Sequence, residues 1–284
     1  MAPVRMLRPG ATLGAMRILT LDPKPVHEWP HLSAAPRGGV ETRNLPLLHG
    51  KVDMLPTGLD ALVVTSDLQG VAPHASLGGA VALLGEVLAE GLASLGAEGV
   101  LPPAEHTGVI LAGDLYSDDT ARVRGASGDV RPVWDAFGGW FRWVVGVAGN
   151  HDTFGTAREQ ATFFRQRPHQ QLLDGDVAEV DSLRVGGVGG IIGRPGRLGR
   201  RDEEDFLQSV AQVLNQAPEL LVLHQGPDAP ALGLRGSASI REALPAQGEL
   251  LVVCGHAHWE TPLVSLPSGV QVLNVDSRAV LLTR

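Results

Sequence analysis

The chain has 284 residues, of which 44% are hydrophobic and 19% are charged, and its net charge is −8. This composition is too apolar for a disordered chain and is sufficient for one large core. The acidic balance disfavours a general nucleic-acid-binding protein, and the single cysteine, Cys254, excludes an internal disulfide and fits a cytoplasmic compartment.

The N-terminal sequence shows neither a membrane span nor an export signal. No stretch approaches the ~20 apolar residues that a membrane-spanning helix requires. A compact apolar segment followed by a cleavage site is also missing, so we expect no membrane partner. Met1, Met6 and Met16 all remain candidates for the natural start of the chain.

Residues 1–58 are rich in proline and have no sustained periodicity. We therefore predict an irregular lead-in that packs on a single domain spanning residues 59–284. Residues 27–31, HEWPH, match the zinc-protease pattern H-E-x-x-H. Pro30 is incompatible with the helix that this motif requires, which disfavours a protease.

Beyond residue 58, short apolar runs alternate with helical patterns, which is typical of an α/β or layered α+β domain. The runs show little polar alternation, as expected for strands buried on both faces. The predicted strands are 61–67, 108–114, 143–150, 183–192, 219–224 and 249–256, and short runs near the end predict a closing meander. The predicted helices are 77–95, 131–142, 157–166 and 203–216.

Polar clusters follow five of the apolar runs. They are SDLQG with Asp67 and Gln69, GDLY with Asp114, GNHD with Asn150 and His151, LHQG with His224, and GHAH with His256 and His258. Sites in open sheets collect beyond the carboxyl ends of strands, so we expect these side chains to converge. Residues two apart in an extended segment point to the same side, which gives SDLQG and GHAH a chelating geometry.

The donor types favour a particular kind of metal chemistry. Mixed imidazole and carboxylate donors suit Mn, Fe or Zn better than Mg or Ca. Two such ions ~3.5 to 4 Å apart can share one carboxylate and activate water against a phosphorus ester. Asp114 is the candidate for the shared carboxylate. No G-x-x-x-x-G-K-[ST] or G-x-S-x-G motif supports a nucleotide-binding loop or a serine hydrolase.

The ordered series of the five clusters resembles that of the calcineurin-like metallophosphoesterases, and GNHD and GHAH are its most specific pieces. The resemblance implies a four-layer αββα sandwich of two mixed sheets flanked by helices. It assigns one metal to Asp67, residue 69, Asp114 and His258, and a second metal to Asp114, Asn150, His224 and His256. It also assigns His151 as general acid, with Asp152 holding its imidazole in place. Where the family usually has Asp-x-His, this chain has Asp67-Leu68-Gln69.

The leading hypothesis is a dinuclear hydrolase of a small phosphomonoester or phosphodiester, with a metal-bound hydroxide as nucleophile. Manganese is the favoured metal, with iron or zinc as alternatives. The alternative is a metal-binding regulatory or interaction protein with little turnover, since the amide of Gln69 is a weaker donor than imidazole. Tyr116, Arg194 and Trp259 are candidates for substrate binding. The acidic balance disfavours a nuclease, and the natural substrate and oligomeric state stay open.

Overall fold

The computed structural model describes residues 16–73 and 81–284 of the chain. Its α-helices are α1 (Leu84–Ala97), α2 (Arg131–Trp140), α3 (Ala157–Arg165), α4 (Glu203–Leu214) and α5 (Ala238–Ala243). Its strands are β1 (Ile18–Leu21), β2 (His27–Ala34), β3 (Val40–Val52), β4 (Ala61–Ser66), β5 (Thr107–Leu111), β6 (Gly128–Asp129), β7 (Trp143–Gly146), β8 (Asp152–Thr153), β9 (Gln170–Leu172), β10 (Asp176–Val180), β11 (Leu183–Val188), β12 (Ile191–Ile192), β13 (Arg200–Arg201), β14 (Leu220–Gln225), β15 (Leu251–Gly255), β16 (Leu263–Ser265), β17 (Gln271–Asn274) and β18 (Arg278–Thr283). None of the helices in these residues is both long and apolar enough to cross a bilayer.

Most of the strands belong to two mixed sheets. The first sheet has eight strands in the order β1-β3-β18-β4-β5-β7-β9, with β2 paired to β3. The second has six strands in the order β10-β11-β14-β15-β17-β16. Strands β4, β5 and β7 run parallel in the first sheet, and β11, β14, β15 and β17 run parallel in the second. In each sheet, the carboxyl ends of these parallel strands therefore lie at one edge. The polar clusters follow the strands at that edge.

Successive residues of the central strands enter different cores. In β4, Val63 packs in the cluster that contains the buried faces of α1 and α2, whereas Leu62 and Val64 lie in the cluster between the sheets. In β14, Val222 enters the cluster between the sheets, and Leu221 packs with α4 and α5. Both faces of these strands are buried, which explains the missing polar alternation. The predicted sandwich of two mixed sheets flanked by helices is confirmed.

The helices form close to their predicted bounds. Helices α2, α3 and α4 lie within the predicted spans, and α1 ends at Ala97, slightly beyond the predicted end at residue 95. Residues 77–80 of that predicted span lie outside the described residues. Helix α4 begins after Asp202, whose carboxylate accepts the N–H of Asp205 at 2.9 Å, as an N-cap should.

The prediction of an irregular lead-in over residues 1–58 is wrong for much of its described part. Residues 18–52 contain β1, β2 and β3, and β3 pairs in parallel with β18 inside the first sheet. Residues 1–15 lie outside the described residues. The HEWPH segment lies in β2 and is extended, as the argument against a zinc-protease helix requires. Pro30 is accommodated because β2 is an outer strand, where a missing N–H donor costs little.

The last strands do not form the predicted meander. Strands β16 and β17 are antiparallel neighbours in the second sheet, but β18 crosses to the first sheet and lies between β3 and β4. Arg278, the first residue of β18, is the register partner of Ser66 at the end of β4. Asp276 also forms a bridge with Ser66. The crossing therefore brings residues 276–278 beside the SDLQG motif.

Candidate metal centre

The residues of the polar clusters gather where the central strands of both sheets end. Asp67, Asp114 and Asn150 follow β4, β5 and β7 of the first sheet. His224 lies near the end of β14, and His256 follows β15, in the second sheet. The ring centroids of His224 and His256 are 5.1 Å apart. Face-to-face packing of the sheets thus brings together side chains that are far apart in sequence.

Three of these residues have left-handed backbone conformations. The φ angles of Asp67, Asp114 and His256 are 53°, 55° and 65°. Such a conformation costs a non-glycine residue ~1–3 kcal/mol and persists only where the surroundings impose it. The N–H of Asp114 donates to Asp152 Oδ2 at 2.8 Å, and the N–H of His256 donates to Asp67 Oδ2 at 2.9 Å. Buried carboxylates therefore hold the strained backbone of this centre.

Two glycines allow the GDLY and GNHD segments to touch. Gly113 has a φ of 89°, and a side chain there would collide with the backbone nitrogen of Gly149. A side chain on Gly149 would collide with Oδ1 of Asp114. The glycine that precedes each candidate ligand is thus needed for close approach.

Asp114, His224 and His256 form a group that could hold a divalent cation. Each offers one ligand atom, and the three atoms lie within 4.8 Å of one another. The side chains of His224 and Asp114 are 0% and 3% exposed, and His224 Nε2 lies 3.4 Å from Asp114 Oδ2. Imidazole and carboxylate donors in one group suit Mn, Fe or Zn.

Two buried atoms at this group have no hydrogen-bond partner among the described residues. His224 donates from Nδ1 to the carbonyl oxygen of Ala112 at 2.8 Å, and its Nε2, 3.4 Å from Asp114 Oδ2, forms no hydrogen bond with the described residues. The Oδ1 atom of Asn150, a residue that is 4% exposed, is likewise unpartnered. Buried polar atoms are nearly always satisfied, and a histidine whose other nitrogen binds a backbone carbonyl is typical of a metal ligand. These residues therefore fit a metal ion.

The charges around this group favour a cation. Burial alone would lower the pKa of His224, but Asp114 and Asp67 raise it to about 10. Burial would raise the pKa of Asp114, yet His224 and His151 lower it. Burial and the neighbouring His224 lower the pKa of His256 to about 4. The carboxylates thus stabilise positive charge at His224, and His256 is held as a neutral donor.

The prediction that Asp152 holds the imidazole of His151 is wrong. The Asp152 carboxylate accepts three backbone N–H groups, those of Asp114, Leu115 and Gly149, each at 2.8 Å. Burial and the charge of Asp114 raise the pKa of Asp152 to about 6. Because the carboxylate is occupied by the backbone, Asp152 positions the two ligand-bearing segments and not the imidazole.

His151 instead contacts a serine that the sequence did not indicate. Its Nδ1 lies 3.1 Å from Ser127 Oγ, and its backbone N–H donates to Asp114 Oδ1 at 2.9 Å. The side chain of His151 lies on the wall of the cleft that contains the candidate metal ligands. This position suits a group that acts on a substrate beside the metal.

The residues assigned by resemblance to the first metal have protein partners. Asp67 Oδ2 accepts from Ser66 Oγ at 2.7 Å, in addition to the His256 N–H. Burial and the nearby Asp276 raise the pKa of Asp67 well above its ordinary value. Gln69 Nε2 donates to Asp114 Oδ2 at 3.2 Å, and both ring nitrogens of His258 lie near Arg278. No three-residue metal-binding group that includes Asp67 or His258 forms in residues 16–73 and 81–284.

The three predicted substrate-binding residues differ in position. A cleft of about 1370 Å³ opens at the metal centre, and Tyr116 lies on its wall. Trp259 is only 1% exposed and donates its indole N–H to the carbonyl of Arg235 at 2.6 Å, so it supports the wall and does not present a free face. Arg194 is exposed and is not one of the residues that line the cleft, so its role in substrate binding stays a prediction.

Sequence reasoning missed Ser127 and Arg278, which contact His151 and His258. Neither belongs to a recognisable motif. Ser127 lies in a glycine- and arginine-containing loop, and Arg278 lies in the apolar run that forms β18. A lone arginine beginning a buried strand is the one signal that could have drawn attention to Arg278.

No curated protein matches the chain. One solved crystal structure shares 12% identity and superposes with a TM-score of 0.52, covering 78% of this chain and 91% of the other. An archaeal phosphodiesterase shares 14% identity, with a TM-score of 0.35 over 76% of this chain and 83% of its own. A protein of unknown function from Aquifex aeolicus shares 12% identity, with a TM-score of 0.34 over 78% and 95% of the two chains.

The first of these superpositions shows that the fold is shared, and the family itself is shown by sequence. The model of the calcineurin-like phosphoesterase family matches residues 61–260, a span that begins at β4 and includes every polar cluster from SDLQG to GHAH. This chain therefore belongs to the calcineurin-like phosphoesterase family.

Proposed function

We propose that this chain is a metal-dependent hydrolase of a small phosphomonoester or phosphodiester. The observation that supports this most directly is the pair of unpartnered buried atoms, His224 Nε2 and Asn150 Oδ1. Leaving a buried polar atom unsatisfied costs ~1–3 kcal/mol, so a ligand that accepts electron pairs from both atoms would stabilise the fold. A divalent cation is such a ligand.

Asp114, Asn150, His224 and His256 would hold this ion. Manganese is the metal we favour, with iron or zinc as alternatives for the same donor types. When bound, the ion supplies Lewis acidity toward an oxygen of the substrate's phosphoryl group. Asp67, which lies next to this group, contributes by holding the backbone of His256.

His151 is the general acid in this proposal. Its backbone is bound to Asp114, so the imidazole cannot move far from the metal ligands. Ser127 Oγ, at 3.1 Å, can donate to Nδ1 and thereby keep a ring proton on Nε2. That proton passes to the alkoxide oxygen as the oxygen of a water molecule adds to phosphorus and the bond from phosphorus to the leaving group breaks.

The test measures metal content and hydrolysis together. Purified chain is loaded with manganese, desalted, and assayed with p-nitrophenyl phosphate and bis-p-nitrophenyl phosphate. We expect His224→Asn to lose the metal and the activity, and His151→Ala to keep the metal and lose ~10²–10⁴-fold in turnover. His106→Ala is the matched control, because this histidine is 53% exposed and pairs with Asp60, away from the cleft.

Two results would redirect the proposal. A wild-type chain that retains no manganese and hydrolyses neither ester would overturn it. A chain that retains manganese but hydrolyses no ester in a panel of cyclic nucleotides, phospholipid headgroup diesters and phosphopeptides would favour a regulatory or interaction protein. The observation behind this second candidate is Gln69, which donates a hydrogen bond to Asp114 where the family pattern has a histidine ligand.

A further inference from the structure

The acceptor atoms of the candidate metal centre fall into two classes. On one side, His224 Nε2 and Asn150 Oδ1 are buried and have no partner in the described part of the chain. On the other side, side-chain atoms of Asp67, Asp114 and His258 face donors from the protein itself. A metal ion would give the atoms of the first class a partner, whereas the atoms of the second class already lie beside donors of the protein.

Gln69 supplies one of these donors. Its Nε2 lies 3.2 Å from Asp114 Oδ2, the same oxygen that lies 3.4 Å from His224 Nε2. The other oxygen of Asp114 accepts the backbone N–H of His151 at 2.9 Å. Asp114 Oδ2 therefore lies between His224 Nε2 and the amide N–H donor of Gln69. Because this oxygen accepts a hydrogen bond from Gln69, it is less available to bridge two metal ions.

Arg278 supplies the second donor. One terminal nitrogen of its guanidinium lies 3.2 Å from Nδ1 and 3.1 Å from Nε2 of His258. The same nitrogen donates to the carbonyl oxygen of Trp259 at 2.8 Å, and Nε lies 3.3 Å from the carbonyl oxygen of Asp276. Because this nitrogen is almost equally close to both ring nitrogens, it lies over the face of the ring, and His258 Nδ1 also lies 3.2 Å from the carbonyl oxygen of Asp276 and 3.3 Å from its Oδ1. A guanidinium is always charged, so a metal ion on Nε2 of His258 would lie beside a permanent cation.

The fold holds Arg278 at this position. The residue is 6% exposed and is the register partner of Ser66, which immediately precedes Asp67. Asp276 and Glu260 are the acidic neighbours that compensate for the buried charge. Arg278 is one of the residues that line the cleft at the metal group. It therefore brings a fixed positive charge close to the cleft.

We propose that this chain binds a single metal ion, at Asp114, Asn150, His224 and His256, and that Gln69 and Arg278 exclude the first metal of the family pattern. Arg278 supplies in its place a fixed positive charge on the cleft wall, suited to an anionic phosphoryl group. The inference rests on the proposed metal-dependent function. The sequence predicted two metal ions in this centre. We now propose one metal ion and the guanidinium of Arg278.

The number of ions can be measured without an activity assay. Wild-type chain is loaded with excess manganese and desalted, and manganese per chain is determined by elemental mass spectrometry. Electron paramagnetic resonance then distinguishes an isolated ion from an exchange-coupled pair. We expect one manganese per chain with the spectrum of an isolated ion.

Variants test the role of the two donors. The double variant Gln69→His with Arg278→Ala should double the manganese content and give the spectrum of a coupled pair. Gln69→His alone, which changes a residue on the cleft wall, provides a second variant if the loss of Arg278 prevents folding, and should bind more manganese than wild type. Arg235→Ala is the matched control, because it removes an exposed arginine from the same cleft and should leave one ion bound.

The outcomes separate this inference from the proposed function. A coupled pair of ions in the wild-type chain would overturn the single-ion inference and leave the metal-dependent function standing. No retained ion in wild type would overturn both. One isolated ion in wild type, without a gain in either variant, would refute the assignment of Gln69 and Arg278 as the excluding groups.

Discussion

Asp152 holds the backbone of Asp114, whose N–H donates to Asp152 Oδ2 at 2.8 Å. The same oxygen accepts the N–H of Gly149, and the second oxygen accepts that of Leu115, also at 2.8 Å. One buried carboxylate thus ties the GDLY segment to the GNHD segment. It maintains the left-handed conformation of Asp114 and, with it, the direction of a proposed metal ligand.

Asp152→Asn should weaken metal binding although Asp152 is not a ligand. An amide presents one acceptor oxygen and turns an NH₂ group toward backbone donors. We expect a loss of ~10–100-fold in manganese affinity and of ~1–3 kcal/mol in the free energy of unfolding. Titration calorimetry and urea unfolding measure the two effects. Asp119→Asn is the exposed control, and an unchanged affinity in Asp152→Asn would contradict the positioning role.

Ser127→Ala should lower turnover without lowering metal content. The serine contacts Nδ1 of His151 and so controls which ring nitrogen carries the proton. We expect a loss of about tenfold in kcat, less than the ~10²–10⁴-fold loss on removing a general acid itself. Ser239→Ala, which removes a hydrogen bond to Glu203 on α4, should leave kcat unchanged. A parallel fall in manganese content would show that Ser127 acts on the metal group instead.

Gly149→Ala should damage the centre through a steric clash. A methyl group there collides with Oδ1 and the backbone nitrogen of Asp114. We expect overpacking to cost ~1–3 kcal/mol of stability and manganese retention to fall sharply. Gly139→Ala is the matched control, because nothing lies within 4 Å of its added methyl group. That change lies in α2 and should stabilise the chain by up to ~1 kcal/mol with normal metal content.

The stability contributed by Asp181 should depend on pH. Its carboxylate accepts hydrogen bonds from Arg142 at 2.6 and 2.9 Å and from the indole N–H of Trp143 at 2.7 Å. These hydrogen bonds join β7 of the first sheet to the turn between β10 and β11. The hydrogen bond from Arg142 lowers the pKa of Asp181 below its ordinary value of 3.8. This contribution is therefore fully present above that ordinary value and is lost as the pH falls through the lowered pKa.

Asp181→Asn should cost ~1–2 kcal/mol at neutral pH. The difference from wild type should narrow below about pH 4, where the wild-type carboxylate becomes protonated. Urea unfolding at a series of pH values measures this. Asp176→Asn, on the exposed edge of β10, should show no such pH-dependent difference. A constant gap between wild type and Asp181→Asn down to strongly acidic pH would show that charge is not involved.

Much of the layered fold could be predicted because its central strands are buried on both faces. The strand at residues 61–66 begins with an apolar run and is buried along its whole length, and a polar cluster follows at the strand end. The N-terminal strands escaped prediction because their prolines resemble those of loops. Pro30 and Pro46 lie in β2 and β3, and only the tertiary arrangement shows that β2 is an outer strand.

The candidate site was predictable only where ligands belong to local motifs. Asp114, His224 and His256 could be identified from the residues around them, because each ends an apolar run. Arg278 could not be identified in this way. It lies beside His258 only because β18 belongs to the first sheet, whereas the preceding strand β17 belongs to the second. Gln69 was visible in the sequence, but its hydrogen bond to Asp114 depends on side-chain orientation.

The position of β18 constrains the order in which this protein can assemble. Because residues 278–283 lie between β3 and β4, those two strands cannot gain their shared neighbour until the ribosome has made residue 283. Nascent chains would expose unpaired strand edges during most of translation, which is a hazard for aggregation. A chaperone that shields these edges would be most needed before the last strand emerges.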